Sequence, residues 1–404
     1  MTSPPHPADP GTTTDAGVLR DRLTHRPREE FAREIWGRTA LLTRRASDFG
    51  DLFSARAVDE LIARRGLRAP FLRVAKDGAT LPEASYTSPA GVGATIADQL
   101  DDTLLWREFA DGATLVLQAL HRTWDPVAGL VRTLGAELGH PVQANAYVTP
   151  PRNRGFDNHY DVHDVFVLQI EGTKRWLVRR PVHPGPLRDE PWTEHRGAVA
   201  EAAQGPPDID AVLEPGDVLY LPRGWLHAAR ARGEVSLHLT LGVHAWTRHA
   251  LAEHLAHAAL AELRDDPWAR GTLPLGVDDP ADETAAVRER LAAAVARADP
   301  APPFHRARRR QARPAPLGPL AQLAAVDALG PASPVRLRAA LEARLDGTRL
   351  ATRVGWLDFP QDDIPAVTRL LDGAVHAAGD LGLPLAARLL RAGVLVPAPG
   401  EPPR

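Results

Sequence analysis

A series of short segments in which apolar and polar residues alternate runs from about Pro141 to Val243, and it restricts the possible fold more than any other feature. The segments are 145–149, 164–170, 174–178, 217–221 and 235–243. Turn signals such as Glu171-Gly172-Thr173 and Glu214-Pro215-Gly216 separate them. An alternation of period two predicts half-buried strands, and many short strands with Gly and Pro turns predict an all-β sandwich or barrel, not a βαβ fold.

Helical patterns flank this central region. Phe31, Ile35 and Trp36 recur at helix spacing within residues 19–63, and the run after Trp246 is rich in Ala, Leu and charged residues. A Pro- and Arg-rich segment then precedes a compact tail with two helical stretches. The predicted parts are a disordered N-terminus (1–18), a central catalytic domain with a helical N-terminal part (19–250), a helical region (251–297), a linker (298–318) and a C-terminal domain (319–404).

Composition excludes several classes of protein and site. The 404 residues contain no cysteine, so disulfides, thiolate zinc sites, Fe–S clusters and cysteine nucleophiles are excluded, and a metal must be bound by nitrogen and oxygen atoms. The net charge of -3 argues against a nucleic-acid partner, and we interpret the HRARRR run (305–310) as solvated. No apolar run reaches the roughly 18 residues of a membrane span, and the first residues do not resemble a signal peptide. A cytoplasmic location is therefore expected.

His159-Tyr160-Asp161 is the central chemical motif. On an extended segment the first and third residues project to one face, so that a histidine and a carboxylate can reach one cation. His227 follows 66 residues after Asp161, just past a strand and the turn Pro222-Arg223-Gly224. Two histidines and one carboxylate form a facial triad that leaves three metal positions open, which favours iron, although the pattern leaves zinc and manganese open.

Each part of this motif is weak by itself, because a surface turn pair and a buried core histidine would give the same letters. The joint pattern within a strand framework favours the metal site. His163 is the main rival ligand, since it shares a face with Asp161 on a regular strand. We rank it lower because the segment from Asp164 to Ile170 is already predicted as a strand entering the core.

Lys174 lies on the strand after the hairpin, on the same face as a tryptophan and a valine. A lysine that points into a barrel needs an anion, and the distal carboxylate of 2-oxoglutarate is a candidate. The Tyr147 hydroxyl and the Asn145 amide are its expected neighbours. His238 and Thr240 either line the same cavity or lie on a solvated sheet face, and a solvent-facing Lys174 is the alternative for the lysine.

The block NAYVTPPRNRGFDNHYDVHDVFVLQIEGTKRW (145–176), together with EPGDVLYLPRGWLHAA (214–229), resembles the JmjC-type ribosomal oxygenases of the cupin superfamily. The resemblance implies an α+β chain built on a double-stranded β-helix, the cupin/JmjC jelly roll, with flanking helices. It also implies a helical dimerisation region after the barrel, so a homodimer, and a C-terminal winged-helix-like domain. His163 departs from the family pattern, which usually has an apolar residue there.

The same resemblance implies the roles of the residues. His159, Asp161 and His227 would bind Fe(II), while Lys174, Tyr147 and Asn145 would bind the cosubstrate 2-oxoglutarate. From their strand face we add His238 and Thr240 to the expected cosubstrate residues. The reaction would couple O2 and 2-oxoglutarate to hydroxylation of a protein side chain, with Arg or His of a ribosomal protein as the leading substrate. Alternatives are tailoring of a peptide natural product, N-methyl-lysine demethylation and a non-catalytic metal-binding cupin module. A DNA-binding regulator is least favoured.

Overall fold

The computed structural model describes residues 17–90, 95–276, 280–301, 304–305, 307–308 and 314–398. The predicted disordered N-terminus therefore lies almost entirely outside the described residues, and the HRARRR run lies partly outside them. The chain divides into two compact units, Met1–Ala245 and Trp246–Arg404.

Antiparallel strands dominate the first unit, and helices occur mainly in its first half. The strands are β1 (Leu41–Thr43), β2 (Leu72–Lys76), β3 (Ala79–Thr80), β4 (Thr87–Ala90), β5 (Ile96–Leu100), β6 (Thr114–Leu117), β7 (Val142–Thr149), β8 (Asp164–Glu171), β9 (Lys174–Arg179), β10 (Ile209–Leu213), β11 (Val218–Leu221), β12 (Leu226–Ala231) and β13 (Ser236–Val243). The helices are α1 (Arg28–Glu34), α2 (Ala55–Arg64), α3 (Asp102–Ala110), α4 (Leu120–Thr123), α5 (Asp125–Leu138) and α6 (Arg196–Ala202), with shorter turns at Leu19–Thr24, Ala69–Phe71, Glu83–Ser85 and Trp192–His195.

Two sheets of this unit pack against each other. The large sheet has the strand order β1-β11-β8-β13-β7-β6-β2-β3, and the small sheet has the order β10-β9-β12. The alternation along β8 explains the packing: Val165 and Val167 join Trp176 of the small sheet in one core, whereas Phe166 and Leu168 join the core on the opposite side. The prediction of a sandwich of short strands is therefore confirmed.

Helices cover the second face of the large sheet. Leu130 and Leu134 of α5 and Leu61 of α2 pack in the same core as the odd-numbered residues of β13, such as Leu239 and Leu241. The even-numbered residues of β13 consequently point toward the small sheet. The large sheet is thus buried on both faces, and polar side chains that point inward lie in a protected interior.

Part of the large sheet comes from a segment for which the sequence indicated no strands. β2 and β6 pair with each other, and β6 pairs with β7, so residues 72–117 extend the sheet beyond its predicted strands. β2 has the sequence Leu-Arg-Val-Ala-Lys, in which Arg73 occupies an interior position. The arginine stands where the pattern of a buried strand would have an apolar residue, and the strand is only five residues long, so the period-two signal is weak.

The second unit contains a helical hairpin followed by small sheets and short helices. Its helices are α7 (Arg248–Arg264), α8 (Ala281–Arg297), α9 (Pro319–Asp327), α10 (Ile364–Leu370), α11 (Ala378–Leu381) and α12 (Leu383–Arg391), and its strands are β14 (Pro334–Leu337), β15 (Arg344–Asp346), β16 (Arg349–Thr352), β17 (Gly355–Asp358), β18 (Val375–Ala377) and β19 (Leu395–Pro397). The strands form two sheets, β18-β14-β19 and β15-β16-β17. Among the described residues of the whole chain, we find no helix with the length and apolar character that a membrane span requires.

Candidate active site

His159, Asp161 and His227 meet at one end of the sandwich, although 66 residues separate Asp161 from His227. The backbones of His159 and His227 form an antiparallel bridge, with N–H to O distances of 3.2 and 2.9 Å in the two directions. One side-chain ligand atom from each of the three residues lies within 4.8 Å of the other two. Two imidazoles and one carboxylate at this spacing could hold a single metal ion.

The turn at Gly224 directs His227 to this position. Gly224 has φ +86°, and a Cβ atom there would lie 2.8 Å from the carbonyl oxygen of His183. Its N–H donates to the carbonyl oxygen of Asp161 at 2.9 Å. Only glycine fits both the positive φ and this close approach, so the turn connects the loop of Asp161 with the strand that begins just before His227.

Both histidines are oriented in the same way by the backbone. His159 Nδ1 lies 2.7 Å from the carbonyl oxygen of Asp157, and His227 Nδ1 lies 3.0 Å from that of Trp225. Because a carbonyl oxygen only accepts, each Nδ1 carries the proton. Nε2 is therefore the ring atom that each histidine can offer to a metal, and metal-binding histidines are commonly held in this way.

The protonation states also suit a cation. Burial, followed by the charge of His159, lowers the pKa of His227 to about 4, so His227 is neutral at neutral pH. Burial by itself raises the pKa of Asp161, but His163 and the neighbouring imidazoles outweigh it and hold the pKa below its usual value. A neutral imidazole beside an ionised carboxylate is the state that binds a metal without first losing a proton.

A cavity of about 220 Å³ opens beside the three residues, between the two sheets. It is lined by every predicted site residue except Asn145: His159, Asp161, His227, Lys174, Tyr147, His238 and Thr240. Asn145 lies two residues before Tyr147 on β7, and its Oδ1 accepts from the Ala119 N–H at 3.0 Å. It lies opposite Thr240 of β13, so it neighbours two residues of the cavity wall without lining the cavity itself.

Lys174 lies deep in this cavity and is only 3% exposed. Its Nζ donates to Thr149 Oγ1 at 3.0 Å, and no carboxylate of the described residues pairs with it. Burial lowers the pKa of Lys174 to about 7. A buried ammonium group without a counter-ion is costly, and an anionic ligand in the cavity would relieve that cost.

His238 borders the same end of the cavity. Its ring stacks on that of Tyr147 with centroids 4.9 Å apart and 3° between the planes. Burial, followed by the charge of Lys174, lowers the pKa of His238 well below its usual value, so the ring is neutral. His238 and Thr240 of β13 thus face the cavity, not solvent.

His163 lies apart from the three clustered residues. Its ring packs edge-on against His244 with centroids 5.1 Å apart, and it does not line the cavity. The backbone bends at residues 162 and 163 before β8 begins at Asp164, so the i, i+2 relation to Asp161 does not hold. Of the two histidines near Asp161 in sequence, the structure brings only His159 into the cluster.

The cavity also contains residues that the sequence analysis did not identify. Arg73 of β2, Thr114 of β6, and Phe156 and Trp192 from loops complete its walls. Phe156 lies within the motif block 145–176 but was given no role there, and Arg73, Thr114 and Trp192 lie outside the motif blocks in separate parts of the chain. The one available signal was the polar residue inside the apolar pattern of β2.

Residues 125–251 match the JmjC domain family. This part of the chain is therefore similar to JmjC domains. The match contains the three clustered residues and Lys174, so the resemblance recognised from the motifs is confirmed.

Relatives extend the similarity beyond the JmjC domain. Ribosomal oxygenase 1 of Bos taurus is 34% identical over 222 residues, which cover 53% of this chain and 31% of the relative. The bifunctional lysine-specific demethylase and histidyl-hydroxylase NO66 of Drosophila melanogaster is 33% identical over 262 residues, covering 61% of this chain and 37% of the relative. The chain spans about a third of the length of these relatives.

Solved structures show the same fold around the JmjC domain. The Escherichia coli ribosomal oxygenase YcfD, solved with cobalt and 2-oxoglutarate, aligns with a TM-score of 0.56 and 19% identity, covering 92% of this chain and 98% of that chain. At this identity the likeness concerns the fold. The predicted cupin/JmjC fold with flanking helices is confirmed.

Proposed function

We propose that this chain is an Fe(II)- and 2-oxoglutarate-dependent oxygenase in which His159, Asp161 and His227 bind the iron. One observation carries the proposal: one ligand atom from each of the two imidazoles and the carboxylate lies within 4.8 Å of the other two at the cavity. Both Nδ1 atoms contact backbone carbonyl oxygens, which leaves the two Nε2 atoms for a metal. Such a donor set covers one face of an octahedral ion and leaves the other face for ligands. The cobalt bound to the Escherichia coli relative is consistent with a divalent metal.

Lys174 is the proposed partner of the distal carboxylate of 2-oxoglutarate. The fit rests on a buried ammonium that has a threonine hydroxyl at 3.0 Å but no carboxylate partner in the described residues. Tyr147, His238 and Thr240 border the same space, and Asn145 lies two residues before Tyr147 on the same strand. Charge-assisted hydrogen bonds of this kind both bind and orient a dianionic cosubstrate.

When bound, Fe(II), 2-oxoglutarate and O2 supply the oxidising power that replaces a C–H bond by C–OH, and the protein supplies binding and orientation. Asp161 offsets part of the charge of the metal, while the backbone carbonyls of Asp157 and Trp225 hold both imidazoles in place. Val165 and Val167 form an apolar wall that limits the entry of water. Exclusion of water protects reactive chemistry from side reactions.

We propose a protein side chain as the substrate, with Arg or His of a ribosomal protein as the leading candidate. The names of the Bos taurus and Drosophila melanogaster relatives support this class. Demethylation of N-methyl-lysine uses the same chemistry, because a hydroxylated N-methyl group releases formaldehyde. The buried, unpaired Lys174 argues against a non-catalytic module, which has no need of an internal anion site.

We further propose that residues 251–297, which contain most of α7 and all of α8, form a dimer contact and that residues 319–404 form a winged-helix-like domain. Apolar side chains on the hairpin support the first part, since Leu251, Leu260 and Val287 are 43%, 55% and 45% exposed. Short helices and two three-stranded sheets around one apolar core support the second.

Anaerobic addition of Fe(II) and then 2-oxoglutarate to the purified protein tests the central proposal. Chelation of 2-oxoglutarate by iron is expected to give a visible metal-to-ligand charge-transfer band, and His159→Ala should abolish it. The measurement needs no knowledge of the substrate.

His163→Ala is the matched control, because it removes an imidazole two residues from Asp161 that lies outside the cluster. It should keep the band. Loss of the band in His163→Ala but not in Asp161→Ala would show that the ligand assignment is wrong. A folded wild-type protein without a band would contradict the oxygenase proposal itself.

A further inference from the structure

Arg73 is a second cation in the wall of the cavity, close to the loop that carries Phe156 and His159. It lies on β2, opposite Val116 of β6, and Val116 in turn lies opposite Tyr147 of β7. Arg73 and Tyr147 therefore belong to one row across the sheet, on the face toward the small sheet. Both line the cavity.

The charge of Arg73 has no ion-pair partner in the described part of the chain. Its guanidinium carbon lies 5.0 Å from the ring centroid of Phe156, and its Nε is buried without a hydrogen-bond partner among the described residues. The pKa of Asp161 is lowered by His163 first and, among further charges, by Arg73. A bound cation would draw Asp161 to itself and leave Arg73 facing the cavity with an uncompensated charge.

Lys174 and Arg73 lie at different depths in the cavity, and this difference indicates different roles. Lys174 and His238 are buried at the inner end, with 3% and 2% exposure. Arg73 is half-buried, as are Phe156 and Trp192, whose rings lie beside His159 at centroid distances of 5.8 Å for Phe156 and 6.4 Å for Trp192. An anionic cosubstrate is drawn to the inner end, so Arg73 faces whatever enters between the two aromatic rings.

We propose that Arg73 is a specificity-determining residue that excludes cationic target side chains and donates to an acceptor on an uncharged one. The inference rests on the proposed oxygenase function and selects among its substrates: an imidazole or carboxamide is accepted, whereas a guanidinium or an N-methylated ammonium is repelled. Like charges several ångströms apart in a partly buried site repel strongly enough to change relative affinity by about 10- to 100-fold.

Peptide pools with one fixed central residue test this selection. The pools carry His, Gln, Arg or trimethyl-lysine at the centre between randomised flanks. Two quantities are measured for each pool: the dissociation constant for the anaerobic Fe(II)/2-oxoglutarate complex, which requires no turnover, and the peptide-dependent kcat/KM for 2-oxoglutarate decarboxylation. The wild type should favour the His or Gln pool over both cationic pools by at least about tenfold.

Arg73→Gln should reduce that preference at least about tenfold in both quantities, with the dissociation constant of 2-oxoglutarate nearly unchanged. Arg73→Lys keeps the charge and should retain most of the preference, which separates a charge effect from a folding defect. Arg175→Gln is the matched control: Arg175 lies on β9 next to Lys174 but points outward and pairs with Asp210 at 2.5 Å. It should leave the preference unchanged.

Three results would overturn the inference while the charge-transfer band persists. They are a wild-type preference for a cationic pool, an Arg73→Gln protein with unaltered preference, and the absence of binding by any pool. A fourth result would also overturn it: if Arg73→Gln weakens the binding of 2-oxoglutarate as much as removal of the Lys174 charge in Lys174→Met, Arg73 is a cosubstrate residue. Loss of the band in the wild type would instead mean that the proposed function fails.

Discussion

At the scale of single residues, Lys174 links cosubstrate binding to pH. Its pKa of about 7 in the ligand-free protein means that it loses its proton as the pH rises above 7. A bound carboxylate favours the protonated form, so binding above pH 7 takes up a proton. The affinity for 2-oxoglutarate should therefore be constant below pH 7 and fall above it, by at most about tenfold per pH unit. Titration of the charge-transfer band from pH 6 to pH 9 measures this slope.

Two variants of Lys174 isolate the effect. Lys174→Arg stays charged throughout this range, so its affinity should not show the slope. Lys174→Met removes the charge at similar side-chain length. It should weaken the binding of 2-oxoglutarate by about 10- to 100-fold, which is the usual contribution of a charged hydrogen bond, while iron still binds. A slope that survives in Lys174→Arg would assign the titration to another group.

The same residue should make the free energy of unfolding of the ligand-free protein depend on pH in the opposite direction from the affinity for 2-oxoglutarate. The pKa of Lys174 is lower in the folded protein than the roughly 10.4 of an unfolded chain, so the unfolded state binds more protons between these values. Stability from this group therefore rises as the pH increases from about 7 toward 10. Denaturant unfolding of the wild type and of Lys174→Met checks this. The free energy of unfolding of the methionine variant minus that of the wild type should decrease as the pH rises from about 7 toward 10.

At the scale of elements, the Gly224 turn determines where β12 begins and so where His227 lies. Gly224→Ala forces a Cβ to within 2.8 Å of a backbone carbonyl oxygen at φ +86°. The left-handed conformation alone costs about 1–2 kcal/mol for a residue with a Cβ. We expect at least that loss of stability, together with weaker iron binding. Thermal unfolding and iron titration followed by the charge-transfer band measure the two effects.

Gly233→Ala is the control for this turn. Gly233 lies in the next connection, between β12 and β13, and a Cβ there meets no atom within 4 Å. Its effect on stability should be small, within about 1 kcal/mol, and iron binding should be unchanged. Unaltered iron affinity in a destabilised Gly224→Ala protein would show that the turn supports the fold without positioning the histidine.

Sequence patterns predicted the strands that bury apolar residues on alternate sides, such as β8 and β13, because hydrophobic burial directly imposes the period. They also predicted His159 and Asp161, since the spacing of this pair reflects local geometry, and His227, since it follows a strand and a turn within a second motif. They did not reveal Arg73 or Thr114, which reach the cavity through pairings between β2, β6 and β7. Such non-local pairing leaves no local periodic signal when the strand is short and its inward residue is polar.

At the scale of the whole molecule, the helical hairpin of the second unit exposes apolar surface. Ala259 of α7 is fully buried, yet its neighbour Leu260 is 55% exposed and Leu251 is 43% exposed. Large exposed side chains on one helix pair suggest a protein partner, and the proposal here is a second copy of the chain. The protein should then sediment at about twice its chain mass of 43.7 kDa.

Leu260→Asp should shift the sedimenting species toward a single chain mass, because a carboxylate in an apolar contact is strongly unfavourable. Leu320→Asp is the control, since Leu320 is 83% exposed on α9, outside the hairpin, and the same substitution there should leave the mass unchanged. The charge-transfer band should persist in both variants, because the residues proposed to bind iron and 2-oxoglutarate lie within the first unit. A monomeric wild type, or a Leu260→Asp protein that stays dimeric, would contradict a dimer contact through Leu260.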